Sequence, residues 1–154
     1  MLGMFKKKTV KIASPIKGKV IELEKVEDEV FSKKMVGDGF GVIPSSGEVI
    51  APFDAEVMMV FHTHHALGLK SADGIELLIH VGLDTVELNG EGFEAFVKAG
   101  DQVKRGDKLL AFDLKGLLSK GIVMTSPIII TNPKKLNRIK FYKSNDEEGI
   151  EVTL

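Results

Sequence analysis

The four histidines of this chain fall in one short window between His62 and His80. An imidazole has an unperturbed pKa of about 6.5, so at neutral pH it can serve as a nucleophile, a proton carrier or a metal ligand. The chain contains no cysteine, which excludes disulfide scaffolds, thiolate metal sites and a thiol nucleophile of its own. The histidine window is therefore where chemistry is first expected.

The segment from Gly74 to Gly82 predicts a strand with one wholly apolar face. Successive side chains of a strand point to opposite faces. The face expected to enter the core carries four aliphatic side chains: Ile75, Leu77, Ile79 and Val81. His80 lies on the other face beside Leu78, and Gly82 leaves room for a group to approach. This pattern favours an accessible imidazole on a docking surface, although the same parity fits a surface histidine without a role.

The positions of the other three histidines depend on how far the preceding strand continues. If it runs through this segment, Thr63 and His65 share a face with Phe61. His62 and His64 then lie on the opposite face and are interpreted as bystanders. A turn that begins near His62 would break this alternation.

Period-two patterns and 16 glycines favour many short strands over helices. We predict a mainly β fold, an antiparallel β-sandwich or distorted barrel with a few short helices. Strands are expected at residues 10–13, 18–23, 40–43, 56–61, 75–81, 108–112 and 128–131. Short helices are expected at residues 93–97, 115–119 and 133–138. Residues 1–154 are expected to form a single domain, with residues 1–9 as a flexible N-terminus.

The sequence contains a weak internal repeat. Residues 14–20, which read SPIKGKV, align with residues 51–57, which read APFDAEV. A strand-turn-strand unit that is used twice explains such a repeat. Residues 97–107 are expected to form two tight turns around a short hairpin, with Gly100 and Gly106 at positions that suit positive φ.

Composition excludes several classes of partner. A formal net charge of -1 and an aromatic content of 6% argue against nucleic-acid binding, which needs a basic surface and stacking side chains. No run approaches the roughly 20 apolar residues of a membrane span. Positive charge follows the first apolar residues, which is the reverse of a secretory signal. The protein is predicted to be cytoplasmic.

Residues 74–86, which read GIELLIHVGLDTV, resemble the active-site signature of the glucose-type IIA phosphocarriers. These proteins belong to the bacterial phosphoenolpyruvate-dependent sugar phosphotransferase system. Further similar segments lie at residues 14–18, 36–39, 63–66 and 87–93, so that the resemblance spans roughly residues 10–133. It implies a largely antiparallel β-sandwich, a duplicated hybrid motif, with a shallow active face.

The resemblance also implies a role for five residues. His80 would accept a phosphoryl group on its Nε2, and the carbonyl of Gly82 would hold its Nδ1–H. His65 would donate a hydrogen bond to the phosphoryl oxygens and assist onward transfer. Asp84 would hydrogen-bond and orient the ring of His65, and the Thr63 hydroxyl would support the active-site histidine.

The partners follow from the same resemblance. HPr would supply the phosphoryl group, and a cysteine on the IIB domain of a glucose-class sugar permease would receive it. The partners would dock on a hydrophobic collar: Val30, Phe31, Phe61 and Leu78. Such proteins act as monomers without a required cofactor, although zinc can bridge the residues matching His65 and His80 at a partner interface. Regulatory targets such as glycerol kinase or other permeases are further candidate partners.

Two alternatives compete with this interpretation. His62-Thr63-His64 and the His80–Asp84 spacing resemble the ligands of a LytM-type zinc peptidase, but their order along the chain is reversed. Residues 97–110 resemble the hairpin rhythm of biotinyl-lipoyl carrier domains, but Lys115 is expected in a helix rather than on a tight turn. Zinc content and mass spectrometry for a lysine adduct distinguish these alternatives from a phosphocarrier.

Overall fold

Twelve strands and two short α-helices form the regular structure of the computed structural model, which describes residues 8–133, 138–144 and 147–154. The strands are β1 Thr9–Ala13, β2 Ile16–Glu22, β3 Asp38–Ile50, β4 Ala55–Val60, β5 Ala66–Ser71, β6 Glu76–His80, β7 Phe93–Ala95, β8 Gln102–Val103, β9 Lys108–Phe112, β10 Ser126–Ile130, β11 Arg138–Ser144 and β12 Glu147–Thr153. Helix α1 spans Glu29–Ser32 and α2 spans Leu114–Ser119. Short 3-10 helices span Leu23–Lys25 and Thr85–Leu88.

The strands form two antiparallel sheets. The larger sheet has the order β7-β9-β3-β10-β6-β5-β4-β8, with β2 paired to β3, and the smaller sheet has the order β1-β12-β11. Strand β3 is 13 residues long and pairs along its length with β2, β9 and β10. The large sheet curls into a half-barrel, which confirms the predicted mainly β class. Among the described residues, none of the helices has the length and apolar character needed to cross a bilayer.

Local expectations differ from the structure at several elements. The helix predicted at residues 93–97 is wrong. Phe93 and Ala95 pack on the core while Glu94 is exposed, which is the alternation of a strand. The ring of Phe93 also stacks on that of Phe112. The helix expected at 133–138 falls largely outside the described residues, and Arg138 begins β11. Thr9 was expected in the flexible N-terminus, but it lies in β1 and pairs with Thr153 of β12.

The two copies of the internal repeat, residues 14–20 and 51–57, lead into β2 and β4, each of which is the first strand of an antiparallel hairpin. Both first strands contain an irregularity in register, at Ile16/Gly18 and at Val57/Met59. Gly100 and Gly106 have φ values of 95° and 93°, as their turn positions suggest. The hairpin expected between these glycines is wrong, because β8 pairs with β4 instead.

Two hydrophobic clusters support the sheets. The main cluster joins the inner faces of both sheets and includes Leu77, Ile79 and Val81. The smaller cluster lies around α1, and its members are Leu23, Val26, Phe31, Leu83 and Ile129, with Leu78 packed against it. This smaller cluster is continuous with the histidines, because the ring of Phe31 lies 5.1 Å from that of His80.

Candidate functional site

Strand β6 presents His80 as its alternation predicts. Leu77 and Ile79 are buried in the main cluster, while Leu78 and His80 are half-buried on the opposite face. Pairing with β5 places His80 opposite Ala66, the residue that follows His65. The antiparallel register therefore brings together two histidines that are well separated along the chain.

A turn, rather than a continuing strand, places His65. Strand β4 ends at Val60, after a register shift between Val57 and Met59 that breaks the alternation expected in this segment. His65 is nevertheless only 2% exposed, and its Nδ1 lies 2.5 Å from Oγ1 of the equally buried Thr63. His64 occupies the left-handed region with φ of 59°, which few residues other than glycine adopt.

The two imidazoles form an edge-to-face pair. The ring centroids of His65 and His80 are 5.0 Å apart with an interplanar angle of 83°. Phe31 lies against the ring of His80 at 5.1 Å, and Phe61 lies edge-on to His65 at 5.2 Å. The apolar rings limit the freedom of both imidazoles and exclude water from one side of each.

The loop after β6 fixes the proton of His80. Nδ1 of His80 lies 2.8 Å from the carbonyl oxygen of Gly82. A carbonyl only accepts, so Nδ1 carries the proton and Nε2 keeps its lone pair. Gly82 has φ of 73°, and a Cβ atom there would lie 2.6 Å from Cγ2 of Thr85, so glycine is required for this conformation.

Burial keeps both histidines neutral at physiological pH. The pKa of His65 is lowered from 6.5 to about 4, first by burial and then by the neighbouring charges of His80 and His62. Burial also lowers the pKa of His80, while the Gly82 carbonyl and the carboxylates of Asp28 and Asp84 raise it. The site therefore offers two neutral imidazoles, one of which has acidic groups nearby.

Asp84 differs from its expected position. Among the described residues, the hydrogen bond predicted from Asp84 to His65 is not present, and the recorded side-chain partner of the His65 ring is Thr63, at Nδ1. Asp84 is exposed and has φ of 59° at the start of the 3-10 helix Thr85–Leu88. Its charge favours the protonated form of His80 rather than orienting His65.

The predicted collar divides into rim and floor. Val30 is 46% exposed on α1, and Phe61 and Leu78 are half-buried beside the histidines. Phe31 is only 8% exposed and packs in the smaller cluster, because α1 turns its ring inward against His80. Phe31 is thus part of the floor of the site, which corrects its expected place on the collar.

Zinc would need further ligands. In the part of the chain that the structure describes, no group of three or more His, Cys, Asp or Glu side chains is arranged to hold a metal ion. His65 and His80 supply two imidazoles, whereas zinc takes four ligands. Zinc between these two rings stays a prediction that depends on ligands from a partner. The arrangement gives no support to the LytM-type interpretation, and Lys115 lies within α2, as the sequence predicts.

Two residues near the site were not predicted from the sequence. Asp28 is the N-cap of α1 and accepts a hydrogen bond from the Val30 N–H, a role that the following apolar pair Val30-Phe31 could have indicated. Ser126 accepts a hydrogen bond from the Gly82 N–H across 44 residues of sequence, and no local pattern signals such a contact.

Known proteins are similar to this chain in sequence. The family model described as phosphoenolpyruvate-dependent sugar phosphotransferase system, EIIA 1, matches residues 10–136. The PTS system glucose-specific EIIA component of Staphylococcus epidermidis is 47% identical over 132 residues, which cover 86% of this chain and 80% of that protein. The component of the same name from Staphylococcus aureus is 44% identical over 152 residues, covering 96% of this chain and 92% of that protein.

A solved structure shares the fold. Glucose permease IIA from Mycoplasma capricolum superposes with a TM-score of 0.81 at 42% sequence identity. The match covers 93% of this chain and 96% of that chain. By its sequence and its fold, the chain belongs to the EIIA 1 family of the phosphoenolpyruvate-dependent sugar phosphotransferase system.

Proposed function

We propose that this protein is a phosphocarrier of the sugar phosphotransferase system in which His80 carries the phosphoryl group. The family supports the phosphocarrier role. One observation carries the assignment of His80: its Nδ1–H donates to the Gly82 carbonyl at 2.8 Å, which leaves the Nε2 lone pair free. Neutral imidazole is a competent nucleophile toward phosphorus, and positioning supplies most of what the transfer needs.

In the acceptance step, Nε2 of His80 attacks the phosphorus of the phosphohistidine on HPr. The Nε2–P bond forms as the donor's P–N bond breaks, and the electron pair of that bond returns to the donor imidazole. His80 keeps its Nδ1 proton, so its ring gains formal positive charge. The Gly82 carbonyl and the carboxylates of Asp28 and Asp84 stabilise this charge, since each already favours the protonated ring.

His65 assists as a neutral hydrogen-bond donor. Its pKa of about 4 keeps it uncharged at neutral pH. When the Thr63 hydroxyl donates to Nδ1 of His65, the ring proton resides on Nε2. That Nε2–H is available to the phosphoryl oxygens on His80, whose ring centroid is 5.0 Å away. A donor that is fixed before the reaction stabilises the transferring group without reorganisation.

In the donation step, a cysteine thiolate of the IIB domain attacks the phosphorus. The S–P bond forms as the Nε2–P bond breaks, and the electron pair returns to Nε2 of His80. This chain has no cysteine, which agrees with an acceptor thiol on another protein. Both partners would dock against the exposed Val30 and the half-buried Phe61 and Leu78.

Phosphoryl labelling tests the proposal. Incubation with phosphoenolpyruvate, enzyme I and HPr is expected to give one acid-labile, alkali-stable phosphate per chain. His80→Gln is expected to abolish labelling, whereas the exposed His62→Gln serves as a matched control and retains it. His65→Gln is expected to accept phosphate but fail to donate it to a IIB domain. Full labelling of His80→Gln would overturn the assignment.

A further inference from the structure

The loop that carries Gly82 is anchored from behind by the segment that leads into β10. The Gly82 N–H donates to Oγ of Ser126 at 3.0 Å, and the Leu83 N–H donates to the carbonyl of Val123 at 2.9 Å. Oγ of Ser126 in turn donates to the carbonyl of Met124 at 2.8 Å. The peptide groups on both sides of Gly82 are therefore held by residues 123–126.

These anchors determine where the Gly82 carbonyl points. In a trans peptide the C=O and N–H groups point in opposite directions. The Leu83 N–H faces Val123, so the carbonyl of the same peptide faces away from it, toward Nδ1 of His80. Gly82 has no side chain to restrict its dihedral angles, so its φ of 73° is held by the hydrogen bonds of the two flanking peptides, one of which also accepts at the Val81 carbonyl from Oγ1 of Thr85.

We propose that Ser126 is a positioning residue for phosphoryl transfer, which acts on His80 through the peptides of Gly82. This inference rests on the proposed function, in which Nε2 of His80 is the reacting atom. Ser126 is fully buried, and its hydroxyl both accepts from Gly82 and donates to Met124. Without the hydroxyl, the Gly82 N–H loses its partner, the loop relaxes, and the carbonyl no longer selects the Nδ1–H tautomer.

Ser126→Ala separates positioning from stability. We expect a mixture of ring tautomers at His80 in 15N NMR spectra of the variant and only the Nδ1–H form in those of the wild type. Phosphoryl acceptance from HPr is expected to slow about tenfold, the effect of one lost hydrogen bond on the position of the nucleophile. The matched control is Ser71→Ala, which removes a buried hydroxyl that accepts from the Ile75 N–H at 3.0 Å, away from the site.

The control fixes how the result is interpreted. Ser71→Ala is expected to lose stability while its His80 tautomer and its acceptance rate stay as in the wild type. If Ser126→Ala behaves in the same way, Ser126 is only structural and the proposal is overturned. Where Ser126→Ala does not fold, Ser126→Thr and Ser126→Val replace it. Thr, which keeps the hydroxyl, is expected to preserve the tautomer, and Val of similar shape is expected to lose it; equal spectra for the two would overturn the proposal.

The tautomer measurement is independent of the proposed function. The ring nitrogens of His80 are observed in the isolated protein, without HPr or phosphoenolpyruvate. Failure of the wild type to take phosphate at His80 would therefore reject the phosphocarrier assignment and leave the Ser126–Gly82–His80 linkage to be judged by NMR. A mixed tautomer in the wild type would instead reject the linkage, whatever the labelling shows.

Discussion

At the scale of single residues, the site assigns two roles to one residue type. His80 is half-buried, has its Nδ1 proton held by a carbonyl and has two carboxylates nearby. His65 is buried and bonded to the Thr63 hydroxyl. The first environment suits a nucleophile that must tolerate positive charge, and the second suits a donor that must stay neutral.

The low pKa of His65 predicts acid-sensitive stability. Its pKa is about 4 in the folded protein and about 6.5 when unfolded, so below pH 6.5 the unfolded chain binds the proton first. The contribution of His65 to the free energy of unfolding is fully present above pH 6.5 and is lost as the pH falls toward 4. From this residue we expect a loss on the order of 2 kcal/mol between pH 8 and pH 5. The free energy of unfolding in urea at the two pH values measures it.

His65→Gln provides the comparison for this measurement. Glutamine does not titrate in this range, so the variant is expected to show a smaller loss of unfolding free energy between pH 8 and pH 5. His80 contributes in the same direction, because burial also lowers its pKa, and it remains in both proteins. An identical pH dependence in the wild type and the variant would show that the pKa of His65 is the same in the folded and the unfolded protein.

Some of these site residues could be predicted from the sequence and others could not. The position of His80 followed from alternation in β6, because four aliphatic residues on one face fix which way the histidine points. His65 lies in a turn, where alternation says nothing, and only the family resemblance identified it. Ser126 reaches the site through a contact that spans 44 residues of sequence, which a linear pattern does not contain.

At the scale of elements, α1 joins the smaller cluster to the charge around His80. Asp28 caps this helix by accepting from the Val30 N–H at 2.9 Å, and its carboxylate raises the pKa of His80. The cap and the charge are separate properties of one side chain. Asparagine is as good an N-cap as aspartate but has no charge, so one substitution separates the two.

Asp28→Asn is expected to lower the pKa of His80 further while α1 stays folded. Removing the carboxylate removes an interaction that favours the imidazolium, so the ring loses its proton at lower pH. An NMR titration of the His80 ring measures the change. Asp113→Asn is the matched control, because Asp113 caps α2 in the same way, at 3.1 Å from the Gly116 N–H. An unchanged His80 pKa in Asp28→Asn would contradict the electrostatic assignment.

The turn between β4 and β5 stores strain at His64. Its N–H donates to the Phe61 carbonyl at 2.7 Å while its φ is 59°. His64→Gly is expected to raise the free energy of unfolding by about 0.5–1 kcal/mol, since glycine adopts this region without steric cost. Thermal and urea unfolding measure the gain. His62→Gly, at a neighbouring position without positive φ, is expected to destabilise instead; a gain in both variants would contradict a conformational cause.

Elements were predictable where the pattern was local and strong. Strand β9 was predicted with its bounds, and β6 to within one residue at each end, because short apolar runs lie between turn signals. Strand β5 was missed, since its glycine and lysine interrupt the apolar pattern, and it exists because β4 and β6 flank it. The 3-residue β7 is likewise held by pairing with β9 rather than by propensity.

At the scale of the whole molecule, the two sheets share one core. Ile12, Ile150 and Val152 of the small sheet are fully buried in the main cluster, together with residues of β6 and β10. The Tyr142 hydroxyl donates to Glu147 at 2.7 Å and adds to the pairing of β11 with β12, and Arg105, in the turn between β8 and β9, also pairs with Glu147. The small sheet therefore supports the large one through the shared core.

One shared core predicts one cooperative unfolding transition. The single tyrosine, Tyr142, reports on the small sheet by fluorescence, since the chain has no tryptophan, and the ring signals of His80 report on the large sheet. Both probes are expected to give the same urea midpoint. Ile150→Ala is expected to lower the unfolding free energy by about 2–4 kcal/mol through a cavity and to shift both midpoints together.

The partner of Ile150 across the small sheet provides the control. Phe141 pairs with Ile150 but is 43% exposed, so Phe141→Ala is expected to cost about 1 kcal/mol or less. Neither substitution touches the site, and the folded fraction of each variant is expected to accept phosphate at the wild-type rate. Separate midpoints for Tyr142 and His80 in Ile150→Ala would show instead that the small sheet unfolds on its own, and that the histidine pair does not depend on it.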